Sequence, residues 1–340
     1  MTRLCFDFDT VKYAVGFSSE NRYIIATNKI TGNSLTLKNR TVLKEHLEVF
    51  NINRDSPLLI TEFDIQDVQE PMSADVVSKI LNNTITNIVK HLQAKDIYGY
   101  FGRGKVFRHD IAKIQPYKGG RSSLKPVNLQ LIEEMLLERF NAKIATDNLE
   151  ADDWLSIDSY TSWKDWVKTK HQKDRLIVVT EDKDALQCGG SHLFNPTKMS
   201  LPFTIKNELG ELSLREDTTA KTITGWGRKF LYSQLLLGDK VDNYSPTSLV
   251  AKDNPHKRFG DVSCFNLLNK LNTDEDCLKA IVEQYKKWYP THVTFTSHDG
   301  NTYTYTWLDA ANEIWALARM KRWVNDDVTF GEVLSKFCII

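Results

Sequence analysis

The sequence predicts an α/β fold, with a mostly parallel central sheet flanked by helices. Three observations carry that expectation. Short apolar runs at residues 4–8, 58–60 and 176–179 pass directly into polar turns, as strands buried on both faces do. Stretches with apolar residues three and four apart lie between them. Strands alternating with helices pair in parallel, because each parallel connection needs a crossover element.

Taken in order, residues 4–8 (LCFDF) read as the first strand and 58–60 as the next. Residues 73–92 read as a helix, with Val76, Val77, Ile80, Leu81, Ile85, Ile88 and Val89 along one apolar stripe. Residues 127–140 repeat the pattern with Leu129, Ile132, Leu136 and Phe140, behind Pro126. The run RLIVVT is the clearest strand, since a continuous β-branched segment suits a position covered on both faces. Near the end, THVTFTSHDGNTYTYTW alternates threonine with apolar or aromatic residues about Asp299-Gly300, a hairpin signal. A helix over 308–324 follows, carrying Ile314, Leu317, Ala318 and Trp323. No linker or low-complexity run divides these parts, so one compact catalytic unit with helical and hairpin additions is expected.

Composition narrows the function classes. With 340 residues, 41% apolar and 26% charged, the chain has a globular make-up. No run approaches the ~18 apolar residues of a membrane span. Arg3, Asp7 and Asp9 stand where a signal peptide would be apolar. The five cysteines are far apart and form no CxxC pair, which argues against a zinc site and a disulfide framework. A reducing cytoplasm, with no membrane partner, is the expected setting. Basic and acidic residues number 44 each, so any nucleic-acid partner must show itself in local charge. The eight histidines show no metal spacing, the tryptophans read as packing, and Cys188 reads as a buried or incidental thiol.

Acidic residues gather where strands would end and helices begin. CFDFD places Asp7 and Asp9 on one side of a strand. NLEADDWL places Glu150, Asp152 and Asp153 at a helix start, with Glu150 and Asp153 on the face beside Ala151 and Leu155. Asp182 and Asp184 follow the clearest strand, and Asp239 and Asp242 follow the apolar run LLLG. Singly, such pairs are usually helix caps or dipole partners. Together they describe a pocket of mutually repelling carboxylates, costly unless a divalent cation neutralises them. Oxygen ligands without His or Cys suit Mg²⁺ or Mn²⁺ rather than zinc. Two such ions would activate a water and stabilise the leaving oxygen in phosphodiester hydrolysis.

Between residues 99 and 125 stand Arg103, Lys105, Arg108, Lys113, Lys118, Arg121 and Lys125 against Asp110 alone. In a neutral chain that excess is a footprint for phosphates. Tyr117-Lys118-Gly119-Gly120-Arg121 adds an aromatic face, an ammonium and a guanidinium beside flexible glycines, a set able to stack on a base and grip phosphates.

The strand bearing Asp7 with Tyr13 six residues on, then FRHDIAKIQPYKGGR, LEADD, EDKDALQ and LLLGDKVDN, occur in one order. That order resembles the 5′-to-3′ exonuclease and flap endonuclease family, most of all the exonucleases of short-tailed phages, over about residues 4–268. The resemblance implies a PIN/flap-endonuclease-like core at 1–240 with a helical gateway at 99–140 through which DNA threads. It further implies a degenerate helix–hairpin–helix-like DNA-binding region at 241–285, followed by a hairpin and helix at 286–340 packed on the core. Asp7, Glu150, Asp152 and Asp153 would hold one Mg²⁺ or Mn²⁺ ion, and Asp182, Asp184, Asp239 and Asp242 the second. Lys118 and Arg121 would contact the scissile phosphate, while Arg103, Lys105, Arg108, Tyr117 and Lys125 bind DNA. The implied partners are DNA with 5′ ends, nicks or flaps, and RNA–DNA hybrid in primer removal. The implied setting is phage replication in the host cytoplasm, by a monomer. Two departures stand out. No acid lies between Asp96 and Asp110, where many members carry one. The stretch YSPTSLVAKDNPHKRFGDV is poor in glycine for a hairpin that grips duplex phosphates through a monovalent cation.

Two other readings compete. CFDFDT matches the DxDxT motif of haloacid-dehalogenase-type phosphatases, with Asp7 as nucleophile, Asp9 as acid/base and Thr180 as second-motif hydroxyl. It leaves EADD and the FR…YKGGR segment without a role. A non-catalytic nucleic-acid-binding protein would not need eight candidate carboxylates.

Overall fold

Leu4, Cys5 and Phe6 have no exposed surface, because the strand they form, Arg3–Asp7, has a parallel neighbour on each side. Asp96–Phe101 lies on one flank with Arg3 opposite Asp96, and Leu176–Val179 on the other with Arg3 opposite Leu176. The computed structural model describes residues 2–120, 124–169, 175–216 and 221–340. Ala142–Ile144 and Ser191–Phe194 extend the sheet in parallel, and Phe203–Ile205 closes one edge antiparallel. The expected α/β architecture with a mostly parallel sheet is therefore present. Gly99 sits beside Phe6, where a Cβ would stand 2.1 Å from the Phe6 carbonyl oxygen, so only glycine permits that approach.

Helix Ala151–Thr169 packs Ala151 and Leu155 against Cys5, Leu176, Val178 and Leu193. A larger core joins helix Arg228–Leu237 to helices Asp261–Leu268, Asp274–Trp288, Trp307–Ala318 and Phe330–Lys336 through residues such as Leu235, Ile281, Tyr285, Ile314 and Phe330. Val106, Ala112 and Tyr117 of the basic segment belong to the same core.

Contacts divide the chain into two compact units. The larger takes in Met1–Thr10, Val89–Ser123 and Phe140–Ile340, the smaller Val11–Ile88 and Leu124–Arg139. In the smaller, Glu20–Asn28 pairs antiparallel along its whole length with Phe63–Pro71, and also with Ser34–Leu37. Helix Arg40–Phe50 covers this sheet with Leu43 and Leu47, its first turn capped by the Asn39 side chain. The expectation of one compact unit is thus corrected, since residues 11–88 build a sheet and core of their own. The expected gateway segment 99–140 is likewise shared between the units at Ser123 and Leu124.

Other expectations shift locally. The helices at 73–92 and 127–140 are Ala74–His91 and Leu129–Arg139. Residues 58–60 do not form a strand. The Asn51 side chain takes both the N–H and the carbonyl of Leu58, and Ile60 opens a short 3₁₀ turn, so the backbone has no ladder to join. The strand comes next, at Phe63–Pro71, whose alternation of Phe63 and Ile65 with Asp64 and Gln66 is too polar to read as a buried run. The hairpin pairs Val293–Thr296 with Thr302–Tyr305 about Gly300, which adopts φ +84°. The helix expected over 308–324 is Trp307–Ala318, and Trp323 lies beyond it.

Gly99→Ala should destabilise the larger unit by about 1–3 kcal/mol, since its methyl must displace backbone. Gly331→Ala, in a helix where the new atom meets only ordinary contacts near 3.8 Å, should stabilise by about 0.4–1 kcal/mol. Urea midpoints of the two variants check the opposite signs.

Candidate active site

Asp7 and the pair Asp182 and Asp184 follow the ends of two adjacent parallel strands, while Glu150, Asp152 and Asp153 open a helix and Asp239 and Asp242 follow one. Asp7 closes the central strand and is 2% exposed. Its Oδ1 accepts from Thr10 N at 3.1 Å and its Oδ2 from Thr180 Oγ1 at 2.7 Å. Thr180 follows strand Leu176–Val179, and its Oγ1 accepts in turn from Asp182 N at 3.0 Å. One hydroxyl thus ties the ends of two adjacent strands. Asp9 does not share the strand side of Asp7 as expected. The strand stops at Asp7, and Asp9 lies in the first turn of helix Phe8–Ser18, accepting from Gly102 N at 2.8 Å.

Helix Ala151–Thr169 begins just after Glu150. Arg108 is wholly buried here, giving Nη1 and Nη2 to the two oxygens of Asp153 at 2.6 and 2.9 Å and Nη1 to Glu150 Oε2 at 3.1 Å. Its remaining donors meet the carbonyls of Leu317 and Arg319 at 3.1 and 3.0 Å. Arg108 was expected to bind DNA, and the structure corrects this, because a guanidinium without exposed surface and with every arm engaged reaches no phosphate. Asp153 also accepts from Lys321 N and Glu150 N, so both its oxygens serve this anchor.

The other acids are placed by short turns. Asp182 caps the turn Lys183–Gln187, accepting from Asp184 N at 2.8 Å, and Asp184 accepts from Gln234. After helix Arg228–Leu237, Gly238 adopts φ +72°, where a Cβ would stand 2.3 Å from Tyr244 O. Asp239 and Tyr244 then exchange both backbone hydrogen bonds and close a tight loop. Inside it Asp239 accepts from Val241 N and Asp242 N, while Lys183 Nζ meets its other oxygen at 2.6 Å. The Tyr117 hydroxyl lies 3.0 Å from Glu150 Oε2 and 2.9 Å from Asp242 Oδ2. Tyr117 is buried, which removes the stacking role expected of it. Lys118 Nζ meets Glu150 Oε1 at 2.5 Å, and its backbone, at φ +57°, donates to Asp242 O at 2.9 Å.

These placements put the carboxylates in one field. Burial, then Asp9 and Asp182, pushes Asp7 up to about 7, against the pull of its hydrogen bonds from Thr180 and Thr10. Burial, then Asp182, Asp239 and Asp242, does the same to Asp184, also to about 7. Asp152 is held well above the usual carboxylate range by burial and by Asp7, Asp182 and Glu150, and Asp182 is raised by burial, Asp242 and Asp239. For Glu150, burial is outweighed by Arg108 and Lys118, and for Asp239 by Lys183, so both are lowered. The structure therefore brings together Asp7, Glu150, Asp152, Asp182, Asp184, Asp239 and Asp242, with Asp153 turned to Arg108. Among the described residues, no three acidic, histidine or cysteine side chains close around one point as a finished ion cage. The donor set, all anionic oxygen with four members repelling one another, is nonetheless one a hard divalent cation fits.

Of the cations expected on DNA, Arg103 and Lys105 are exposed, Arg103 over the Phe101 ring at 5.3 Å and Lys105 paired with Asp110. Lys125 is exposed in the smaller unit. Arg121 lies outside the described residues. The sequence reading passed over Lys183 and Gln234. A lysine inside EDKD was the available signal for the first, and nothing local marks the second.

No known family's sequence profile matches this chain, and no curated protein matches it. Among solved structures it is similar to the D15 protein of T5 co-crystallised with metal ions, at 12% identity over 99% of this chain and 97% of that one, with a TM-score of 0.39. It is similar also to a lysine-to-alanine mutant of T5 5′-exonuclease, at 14% identity over 76% and 89%, with a TM-score of 0.41. A third is an aspartate-to-lysine form of bacteriophage T5 D15 flap endonuclease in a pseudo-enzyme–product complex with DNA and metal ions, at 15% identity over 76% and 88%, with a TM-score of 0.38. Overlaps of this size do not bear on function, which must be argued from the residues.

Arg108→Ala should destabilise the larger unit by about 3–5 kcal/mol, because it leaves Asp153 buried and unpaired. Replacing Arg108 and Asp153 together by apolar residues should recover much of that loss. Chemical denaturation of the two single variants and the double variant measures this.

Proposed function

We propose that the chain is a metal-dependent 5′-to-3′ nuclease that hydrolyses phosphodiesters of DNA. The observation that carries this reading is the set Asp7, Asp152, Asp182 and Asp184, raised by burial and by one another at the carboxyl edge of the sheet. Such a set is stable when ionised only beside cations. The ordered motifs that resemble the exonuclease and flap endonuclease family support the same reading.

Two Mg²⁺ or Mn²⁺ ions, one held by Asp7, Glu150 and Asp152 and one by Asp182, Asp184, Asp239 and Asp242, would supply water activation and leaving-group stabilisation. The chain's own groups do the rest. Thr180 holds Asp7 in orientation relative to Asp182. Tyr117 and Lys183 hold Glu150, Asp242 and Asp239 against their mutual repulsion. Lys118 carries an ammonium to the same carboxylates, where it would meet the scissile phosphate and stabilise charge growing in the transition state. Arg121 is assigned the same phosphate on the strength of the motif alone. Arg103, Lys105 and Lys125 are assigned flanking phosphates, which position the strand without reading its sequence. The substrates this fits are DNA 5′ ends, nicks and flaps, with the RNA of an RNA–DNA hybrid as a further one. Helices Asp261–Leu268 and Asp274–Trp288, joined by a short connection, are assigned the duplex. A monovalent cation is proposed in the DNA-binding region 241–285. A monomer acting in cytoplasmic phage replication completes the reading.

Asp182→Asn should abolish cleavage of end-labelled DNA while leaving DNA affinity unchanged or raised, since one repelling charge is gone. Lys118→Ala should lower kcat about 10²-fold at saturating DNA. Lys105→Ala should instead reduce the salt slope of log affinity by about 0.7–0.9. Cleavage that persists in excess EDTA, or a Lys118→Ala enzyme altered in affinity alone, would sink the respective assignment.

A further inference from the structure

Glu313 is a buried carboxylate on helix Trp307–Ala318 that pairs with no cation within 4 Å among the described residues and caps no helix. Its Oε1 accepts from two successive backbone amides, Lys113 N and Ile114 N, each at 2.9 Å. Its Oε2 accepts from the hydroxyl of Tyr305, on the second strand of the hairpin, at 2.8 Å. The hairpin's turn holds the same stretch from its carbonyl side. Ser297 Oγ donates to Lys113 O at 2.7 Å, and His298 Nε2 donates to Ala112 O at 2.9 Å. Lys113 Nζ reaches Asp299 at 3.2 Å. Residues 112–114 lie in neither helix nor strand, although Ala112 N, at the end of helix Phe107–Ile111, still donates to Arg108 O at 3.0 Å. Side chains from residues 297–313 therefore meet the polar backbone groups that these residues would otherwise leave unpaired, as buried backbone requires.

That stretch leads within four residues to Lys118, whose left-handed backbone is fixed from the other side by Asp242 O and by the Pro116 carbonyl, which accepts from Gly119 N and Asn243 Nδ2. The segment is thus held at two points, with Tyr117 and Lys118 at the second.

We infer that Glu313 is a positioning residue for Lys118, with Tyr305, Ser297 and His298 completing a clamp that the C-terminal hairpin and helix place on residues 112–114. This rests on the proposed role of Lys118. A buried carboxylate is a costly way to fill a core, whereas two adjacent amide donors with no backbone acceptor call for one. A clamp of this kind fixes where the ammonium stands and adds nothing to the grip on DNA, so its loss belongs in turnover rather than in affinity.

The test is a cycle of Glu313→Ala and Lys118→Ala, read by single-turnover cleavage at saturating DNA and by DNA affinity. Glu313→Ala should lower the saturated rate by about 10- to 100-fold with affinity unchanged, and should cost nothing further in the Lys118→Ala background. Glu313→Gln, which keeps an acceptor oxygen, should recover most of the rate. Ser297→Ala and Tyr305→Phe, as smaller perturbations, should show the same pattern to a lesser degree should Glu313→Ala fail to fold. Hydrogen exchange supplies a readout independent of cleavage, in which the Lys113 and Ile114 amides should exchange faster in Glu313→Ala while the central strand stays protected. Additive losses in the double variant, or unchanged exchange at those amides, would overturn the inference. If Lys118→Ala leaves cleavage untouched while the amides still lose protection, the catalytic role of Lys118 fails and the positioning role falls with it, although the clamp itself stands.

Discussion

Burying a guanidinium is expensive unless every donor is met, and the architecture around the acidic edge depends on how fully Arg108 is met. Two arms take Asp153, one of them also touches Glu150, and the rest take carbonyls at the end of helix Trp307–Ala318. A single side chain thereby joins the start of helix Ala151–Thr169, the basic segment and the C-terminal region. It also ends a helix. With the carbonyls of Leu317 and Arg319 turned to Arg108, the chain leaves the helical path after Ala318, and Lys321 N is free to reach Asp153.

The same pair explains where sequence reasoning succeeded and where it stopped. Strand Leu176–Val179 and the acids after it were legible, because a continuous β-branched run and its polar exit are local signals. The convergence of Asp7, Asp152, Asp182 and Asp184 was legible as a pattern of element ends. Arg108 was not. Counting charge between residues 99 and 125 treats every cation as solvated, and no local feature marks the one whose partners lie about 45 and 210 positions away. Tyr117 failed for a related reason, since an aromatic beside lysine and glycine reads as a stacking platform until its hydroxyl is found between Glu150 and Asp242. The smaller unit's sheet escaped because its longest pairing uses Phe63–Pro71, in which Phe63, Ile65 and Val68 stand singly among acids and glutamines.

Charge is sorted finely within a neutral chain. Glu150 and Asp239 each meet a lysine, and Asp153 meets an arginine, so the repulsion that remains is concentrated on four carboxylates. Lys118 lies 32 positions from Glu150 and Lys183 lies 56 from Asp239, so these pairs, like that of Arg108 with Asp153, join segments distant in sequence. Neutralisation thus runs between the motifs, and the buried pair ties them to the core.

The central strand has a consequence for how the protein is made. Arg3–Asp7 is synthesised well before the strands it pairs with, residues 96–101 and 176–179. At about 5–20 residues per second, synthesis of the intervening chain occupies roughly 10–30 seconds, during which Leu4, Cys5 and Phe6 have no second partner strand. Within that interval every residue of the smaller unit, through Arg139, has been synthesised. The nascent chain therefore holds an apolar strand with one flank open while the smaller unit is able to fold. Such long-range pairing slows folding and leaves an exposed edge open to association with other chains. Efficient production should depend more on chaperone capacity and translation speed than on the stability of the finished molecule.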